Sequence, residues 1–154
     1  MTTAYISASD FLDSDIPGIQ KGIGGSDIAA IVGLHPMKSS WDVWAQITGR
    51  GDRFKGNIAT RTGNDLEDWV ADVYRKKHNE QLVGPTSPYI EGYMRRSPDR
   101  LMLESKAILE VKTSLGYGAR NMWPNSEPAP DYVNAQCRWY MSKPYDLRNL
   151  TCYA

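Results

Sequence analysis

The order of apolar and polar positions divides the chain into a helical first half and a strand-rich second half. Gly22-Ile23-Gly24-Gly25-Ser26-Asp27 opens an apolar run from Ile28 to Val32. This reads as a glycine turn feeding a short helix with Ser26 or Asp27 at its N-cap. Ser39-Ser40 caps a second helix through Trp41, Val43, Trp44 and Ile47, closed by Gly49. Trp44 and Ile47 lie three apart and read as core packing. From Asn57 to about His78 runs the longest helix, with an apolar stripe of Ile58, Leu66, Trp69, Val70, Val73 and Tyr74. Residues 1–20 carry weak pattern and read as a loose lead-in.

From Gln81 the runs shorten. Leu82-Val83, Tyr89-Ile90, Tyr93-Met94, Leu101–Leu103 and Ala107–Val111 are strand-like segments separated by Gly, Pro or Ser. Glu104-Ser105-Lys106 is the turn between the last two. The Gly-, Asn- and Pro-rich stretch from Thr113 to Pro130 reads as a substrate-facing loop. Asp131 to Ser142 is a helix with Val133, Cys137, Tyr140 and Met141 on one side, and Leu147 to Tyr153 a final strand. Helices, a strand meander, a helix and a strand predict an α/β fold, a central mixed β-sheet flanked by helices.

Alternation along 107–111 places Glu110 and Lys112 on one face and Leu109 and Val111 on the other. Asp99, in Ser97-Pro98-Asp99-Arg100, precedes Glu110 by eleven residues across the hairpin. Two carboxylates and a lysine on adjacent strands suit a hard divalent cation beside a phosphodiester. Mg²⁺ or Mn²⁺ takes one or two carboxylates and keeps waters of its own. Asp99 and Glu110 would ligate directly, with the Val111 carbonyl as a third donor. Lys112 would orient or activate the attacking water, or neutralise developing charge. Glu67, if its helix packs beside the strands, would hold a metal-bound water or a second metal. Taken alone, Asp99 also fits a turn residue after Pro98, Glu110 and Lys112 a surface ion pair, and Glu67 an edge salt bridge. Taken separately these plainer readings win, since a motif of this looseness recurs by chance in many sequences.

Composition narrows the alternatives. At 154 residues, 41% hydrophobic and 23% charged, the chain has the size and make-up of one globular domain spanning 1–154. No apolar run approaches the roughly 18 residues of a membrane span and no signal pattern opens the chain, so a cytoplasmic location is expected. Cys137 and Cys152 are too few for an iron–sulfur cluster and read as free thiols. His35 and His78 are too far apart in sequence to suggest a zinc site or a Ser-His triad. The glycine turn lacks the Gly-Lys-Ser/Thr ending of a P-loop. Net charge is zero, yet basic residues cluster at Arg50, Arg53, Lys55 and Arg61, at Arg75-Lys76-Lys77, and at Arg95, Arg96 and Arg100 around Asp99. The second cluster reads as a solvated face.

Six ordered motifs carry a resemblance. They are the Gly22–Asp27 opening followed by Ala29-Ala30-Ile31, the helix from Trp41 to Gly49-Arg50, and Gly63-Asn64-Asp65-Leu66-Glu67. Ser97-Pro98-Asp99, Leu109–Thr113, and Pro130-x-Tyr132 with Gln136 and Trp139-Tyr140-Met141 complete the set. Over roughly residues 21–153 the chain resembles the YqaJ-type viral recombinase family, the lambda-exonuclease-like branch of the PD-(D/E)XK nucleases. The resemblance implies a restriction-endonuclease-like core. Mg²⁺ would sit on Asp99, Glu110 and the Val111 carbonyl, with Lys112 as catalytic lysine and Glu67 and Gln136 completing the site. Ser26 and Ser97, with Gln136, would receive a 5′-phosphate, and Arg100 would add a cation beside the DNA. The implied activity is 5′-to-3′ digestion of double-stranded DNA for recombination by single-strand annealing. An annealing protein and a ring-shaped homotrimer are the implied partners. An endonuclease or nickase of the same fold and a non-catalytic DNA-binding relative remain alternatives. Three departures stand out. Asp15–Gln20 lacks the family's Trp and DNA-gripping Arg, Arg100 replaces a usual Gly, and the chain is short at its C-terminus relative to the family. They bear on the grip on DNA and on ring assembly rather than on metal chemistry.

Overall fold

The computed structural model describes residues 22–51, 55–84, 88–113 and 128–142, together with the main chain of 149–153. The lead-in at 1–20 and most of the loop expected over 113–130 lie outside the described residues. The first helix, α1 (Gly25–Ile31), starts earlier than expected. Gly24 is its N-cap, and Asp27 lies inside the first turn, where its Oδ2 accepts the Gly24 amide at 3.0 Å. A carboxylate at this position satisfies the cap amide as in a capping box, so neither Ser26 nor Asp27 is itself the cap. The other Asp27 oxygen takes Lys38 Nζ at 2.7 Å and ties down the following loop.

Helix α2 (Ser40–Ile47) is capped by Ser39 as expected, and Gly49 follows it at φ 67°. Helix α3 (Ile58–His78) begins at Asn57, whose Oδ1 accepts the Thr60 amide at 2.9 Å, and ends at a left-handed Asn79. The strands are β1 (Leu82–Val83), β2 (Tyr89–Glu91), β3 (Met94–Arg96), β4 (Arg100–Met102), β5 (Ala107–Val111) and β6 (Asn149–Tyr153), with α4 (Asp131–Met141) before the last. Two strand positions shift from expectation. Gly92, at φ 54°, gives Tyr93 to the β2–β3 turn, and Leu103 enters the turn that ends at left-handed Lys106.

The main sheet runs β1-β4-β5-β6. Its first three strands are antiparallel neighbours, and β6 joins β5 in parallel, so the sheet is mixed. The β2–β3 hairpin stands apart and is tied to the glycine turn. Ile23 donates to the Tyr93 carbonyl at 2.7 Å and accepts the Arg95 amide at 2.9 Å.

Helices cover both faces of β5. Ala71 and Tyr74 of α3 pack on Met102, Ala107, Leu109 and Val111, while Val133, Cys137 and Tyr140 of α4 pack on Ile108. A strand buried on both faces must be apolar at nearly every position, which the sequence Ala-Ile-Leu-Glu-Val meets except at Glu110.

The packed face of α3 corrects the expected stripe. Ile58 and Trp69 are 79% and 64% exposed and Leu66 is also exposed, whereas Ala71 and Tyr74 are buried and Val70 half-buried. The small Ala71 lets the helix approach the sheet. Glu67, one turn before Ala71, consequently lies on the inner side. Trp44 is likewise not core. It is exposed, its ring centroid 4.6 Å from that of Trp41, with the Arg50 guanidinium 5.0 Å above it, and Val43 fills the interior instead.

Leu109→Ala should cost about 2–5 kcal/mol of stability through the cavity left between sheet and α3. Ile58→Ala, on the discarded part of the stripe, should stay within about 0.5 kcal/mol of the parent. Urea denaturation midpoints of the two variants check this assignment of faces.

Candidate active site

Glu110 lies near the end of β5, 1% exposed, on the side covered by α4. Gln136 Nε2 of α4 donates to Glu110 Oε1 at 2.5 Å and to Tyr140 Oη at 3.0 Å. Lys112 Nζ, just past the strand, pairs with the same Glu110 oxygen. Asp99, immediately before β4, crosses to β5, where its Oδ2 accepts the Val111 amide at 2.6 Å. Helix α3 delivers Glu67 from the opposite face of the sheet. Gly63, one turn earlier, makes that approach possible, since a Cβ there would lie 3.0 Å from Thr113 Oγ1. The result is an open cleft of about 600 Å³ at the end of β5, lined by Glu67, Asp99, Glu110, Val111, Lys112 and Gln136.

Electrostatics follow from this crowding. Burial pushes the Asp99 carboxyl up from 3.8 to about 6. The Glu67 charge adds to the rise, and the Val111 amide, Lys112 and Arg100 oppose it. Burial likewise pushes Glu110 from 4.5 to about 7, with Lys112 opposing and the Asp99 and Glu67 charges adding. Burial alone would lower Lys112, but its pairing with Glu110 outweighs this and holds the ammonium above its usual range. A protonated lysine therefore stands beside carboxylates whose charge is poorly compensated.

This donor set fits a divalent cation. The Glu67 charge raises the proton affinity of Asp99 and Glu110, and the Asp99 charge that of Glu110, which is the strain a hard dication relieves. Among the described residues no three His, Cys, Asp or Glu side chains already form a metal-binding group. Two carboxylates and a main-chain carbonyl, with the remaining positions left to water, is the sparse set that suits Mg²⁺.

The three arginines around Asp99 part company. Arg96 is 1% exposed, paired with Glu91 at 3.3 Å and set over the Tyr89 ring. Arg100 bridges Glu67, at 2.9 Å, and Asp68, and donates to the Asp99 carbonyl at 2.5 Å, while lining neither this cleft nor the next. Arg95 opens into a second cavity of about 270 Å³ together with Ser26 and Ser97. Both expected serines thus meet in one place, a cavity that has Tyr140 as one wall. Gly25 sets the thickness of that wall, because a Cβ there would lie 2.6 Å from the Tyr140 ring and 2.8 Å from Gln136 Cγ.

His35, set aside in the sequence because His78 lies too far from it, lines the carboxylate cleft with its ring 5.8 Å from that of Tyr132. Its Nδ1 accepts the Met37 amide at 3.1 Å, and burial followed by the Lys38 charge holds its pKa below the usual value. No local motif marks it, since the loop after α1 brings it in.

Residues 19–143 match the YqaJ-like viral recombinase domain. The chain belongs to the YqaJ-like viral recombinase family. The YqaJ protein of Bacillus subtilis (strain 168) is 30% identical over 120 aligned positions, and the match covers 74% of this chain and 37% of that protein. Among solved structures, LHK-Exo in complex with dAMP superposes with a TM-score of 0.56 at 21% identity, over 79% of this chain and 63% of that one. The alkaline exonuclease LHK-Exo from Laribacter hongkongensis gives 0.55 at 18% identity, over 86% of this chain and 66% of that one. A phage related exonuclease from Haemophilus somnus 129PT gives 0.50 at 15%, over 79% and 58%. The chain therefore spans well under half of the curated relative and less than two thirds of these exonucleases. The family's PD-(D/E)XK fold is present, with the mixed sheet and flanking helices expected. No described helix is long and apolar enough to cross a membrane.

The raised carboxyls predict a pH dependence. Both bind protons more tightly folded than unfolded, so their contribution to stability is full below about pH 4. It is lost as pH rises from 3.8 through about 6 for Asp99 and from 4.5 through about 7 for Glu110. In EDTA, the Tm of the parent should fall relative to Glu110→Gln between pH 4.5 and about 7. Mg²⁺ should restore the parent and leave the variant nearly unmoved. Parallel melting curves for the two proteins would be inconsistent with this electrostatic picture.

Proposed function

We propose that this chain is a metal-dependent deoxyribonuclease, using Mg²⁺ or Mn²⁺, that digests double-stranded DNA from a 5′ end. The observation that carries this reading is the meeting of Asp99, Glu110, Lys112 and Gln136 in one cleft at the end of β5. Asp99, Glu110 and the Val111 carbonyl would hold the cation, which would supply Lewis-acid charge at phosphorus and a more acidic water.

The chain's own groups do the rest. Lys112, kept protonated by Glu110, sets a point charge beside the reacting phosphate. Gln136 fixes one Glu110 oxygen and so the direction of the other. Glu67, gripped by Arg100, stands at the cleft wall, able to hold a water or a second cation. Ser26 and Ser97 offer hydroxyls to a terminal phosphate across the Tyr140 wall. A role in single-strand annealing recombination in the cytoplasm, with an annealing protein as partner and a ring-shaped trimer as assembly, belongs to the same reading.

Linear duplex should be degraded with Mg²⁺ and spared with EDTA, and a covalently closed circle should survive. Glu110→Gln and Lys112→Gln should each cut the rate by at least about 100-fold while circular dichroism shows an unchanged fold. Full activity in both variants would sink the assignment. Cutting of the closed circle would move it to an endonuclease of the same fold.

A further inference from the structure

We infer that Arg95 is the phosphate-reading cation of the serine cavity, the residue that lets this protein tell a 5′-phosphorylated DNA end from a 5′-hydroxyl end. The inference takes its ligand from the nuclease reading but stands on separate geometry.

Strand β3 presents three consecutive residues with different fates. The Met94 side chain meets the Arg96 guanidinium, Arg96 is sealed inside, and Arg95 turns to the cavity shared with Ser26 and Ser97. The main chain at Arg95 is fixed on both sides. Its amide bonds to the Ile23 carbonyl at 2.9 Å, and its carbonyl accepts Trp139 Nε1 at 3.2 Å. Among the described residues no acidic side chain pairs with its guanidinium, in contrast to Arg96 with Glu91 and Arg100 with Glu67 and Asp68. It is also the only charged residue lining the cavity among those described.

An arginine and two serines lining about 270 Å³ match a phosphate in both size and donor chemistry. They favour a terminal monoester, with close to two charges, over the single charge of an internal diester. The cavity is also placed for such a task. Its Tyr140 wall receives the Gln136 hydrogen bond, and Gln136 reaches Glu110 in the carboxylate cleft. A duplex end seated on Arg95 would therefore lie one side-chain layer from the reacting centre. The cation comes from β3, within two residues of Ser97.

Fluorescence anisotropy in EDTA tests this without turnover, using the full chain and short duplexes labelled at their 3′ ends, with 5′-phosphate or 5′-hydroxyl termini. The parent should prefer the phosphorylated end by roughly tenfold, the value of one charge-assisted contact. Arg95→Gln should bring that ratio close to one, and Arg95→Lys should recover part of it. Ser97→Ala should weaken the preference less. Equal binding of both ends by the parent, no binding of either, or a full preference in Arg95→Gln overturns the inference. A parent that prefers phosphorylated ends yet never degrades DNA with Mg²⁺ keeps Arg95 and removes the nuclease reading. A parent that degrades DNA but binds both ends alike does the reverse.

Discussion

The burial of Glu110 is the constraint around which the rest of the structure is arranged. A carboxylate sealed between a sheet and a helix is costly unless charge and hydrogen bonds reach it. Lys112 and Gln136 supply both, from the strand's own continuation and from α4. Each neighbour follows from that need. Gln136 must lie on the inner face of α4 beside Tyr140, α1 must approach closely enough that only glycine fits at position 25, and Asp99 must stop short of Glu110 by bonding to the Val111 amide. What remains uncompensated is acidity, which shows in the upward shifts of both carboxyls. A site so built holds more negative charge than its own cations offset.

Much of this was written locally in the sequence. The caps at Ser39 and Asn57, the turn before β5, and the alternation that sends Leu109 and Glu110 to opposite faces depend on neighbours in sequence, where period and capping chemistry act. The positions of Asp99, Glu110 and Lys112 relative to one another were legible for the same reason. The face of α3 was not. Two overlapping apolar stripes fit its period, and the choice between Trp69 and Ala71 was made by how near the sheet lies, a tertiary fact. The same limit hid His35, which enters the cleft by a loop. It also hid the fates of Arg95, Arg96 and Arg100, identical in charge and separated only by what each meets on folding.

Arg100 illustrates how a departure from a family pattern is absorbed. A bulky cation beside Asp99 does not crowd the cleft, because Glu67 and Asp68 on α3 draw its guanidinium aside. The pair joins residues 33 apart in sequence and fastens the helix to the edge of β4. Glu67 is thereby oriented by a residue that the cleft itself does not contain. Membership of the YqaJ-like family and the fold shared with the alkaline exonucleases thus coexist with an arginine that grips the third carboxylate.

The parallel pairing of β5 with β6 has a consequence in time. Glu110 lies opposite Cys152, and Val111 opposite Tyr153, so the central strand has an open edge until residues 149–153 are in place. A chain emerging from the ribosome completes α1, α3, Asp99 and Lys112 well before that edge is filled. Non-local strand pairing of this kind is slow to form and comes late. The cleft's most buried charge is therefore secured only after residues 149–153 have been made, and a partly synthesised chain carries its acidic residues before it has the sheet that aligns them.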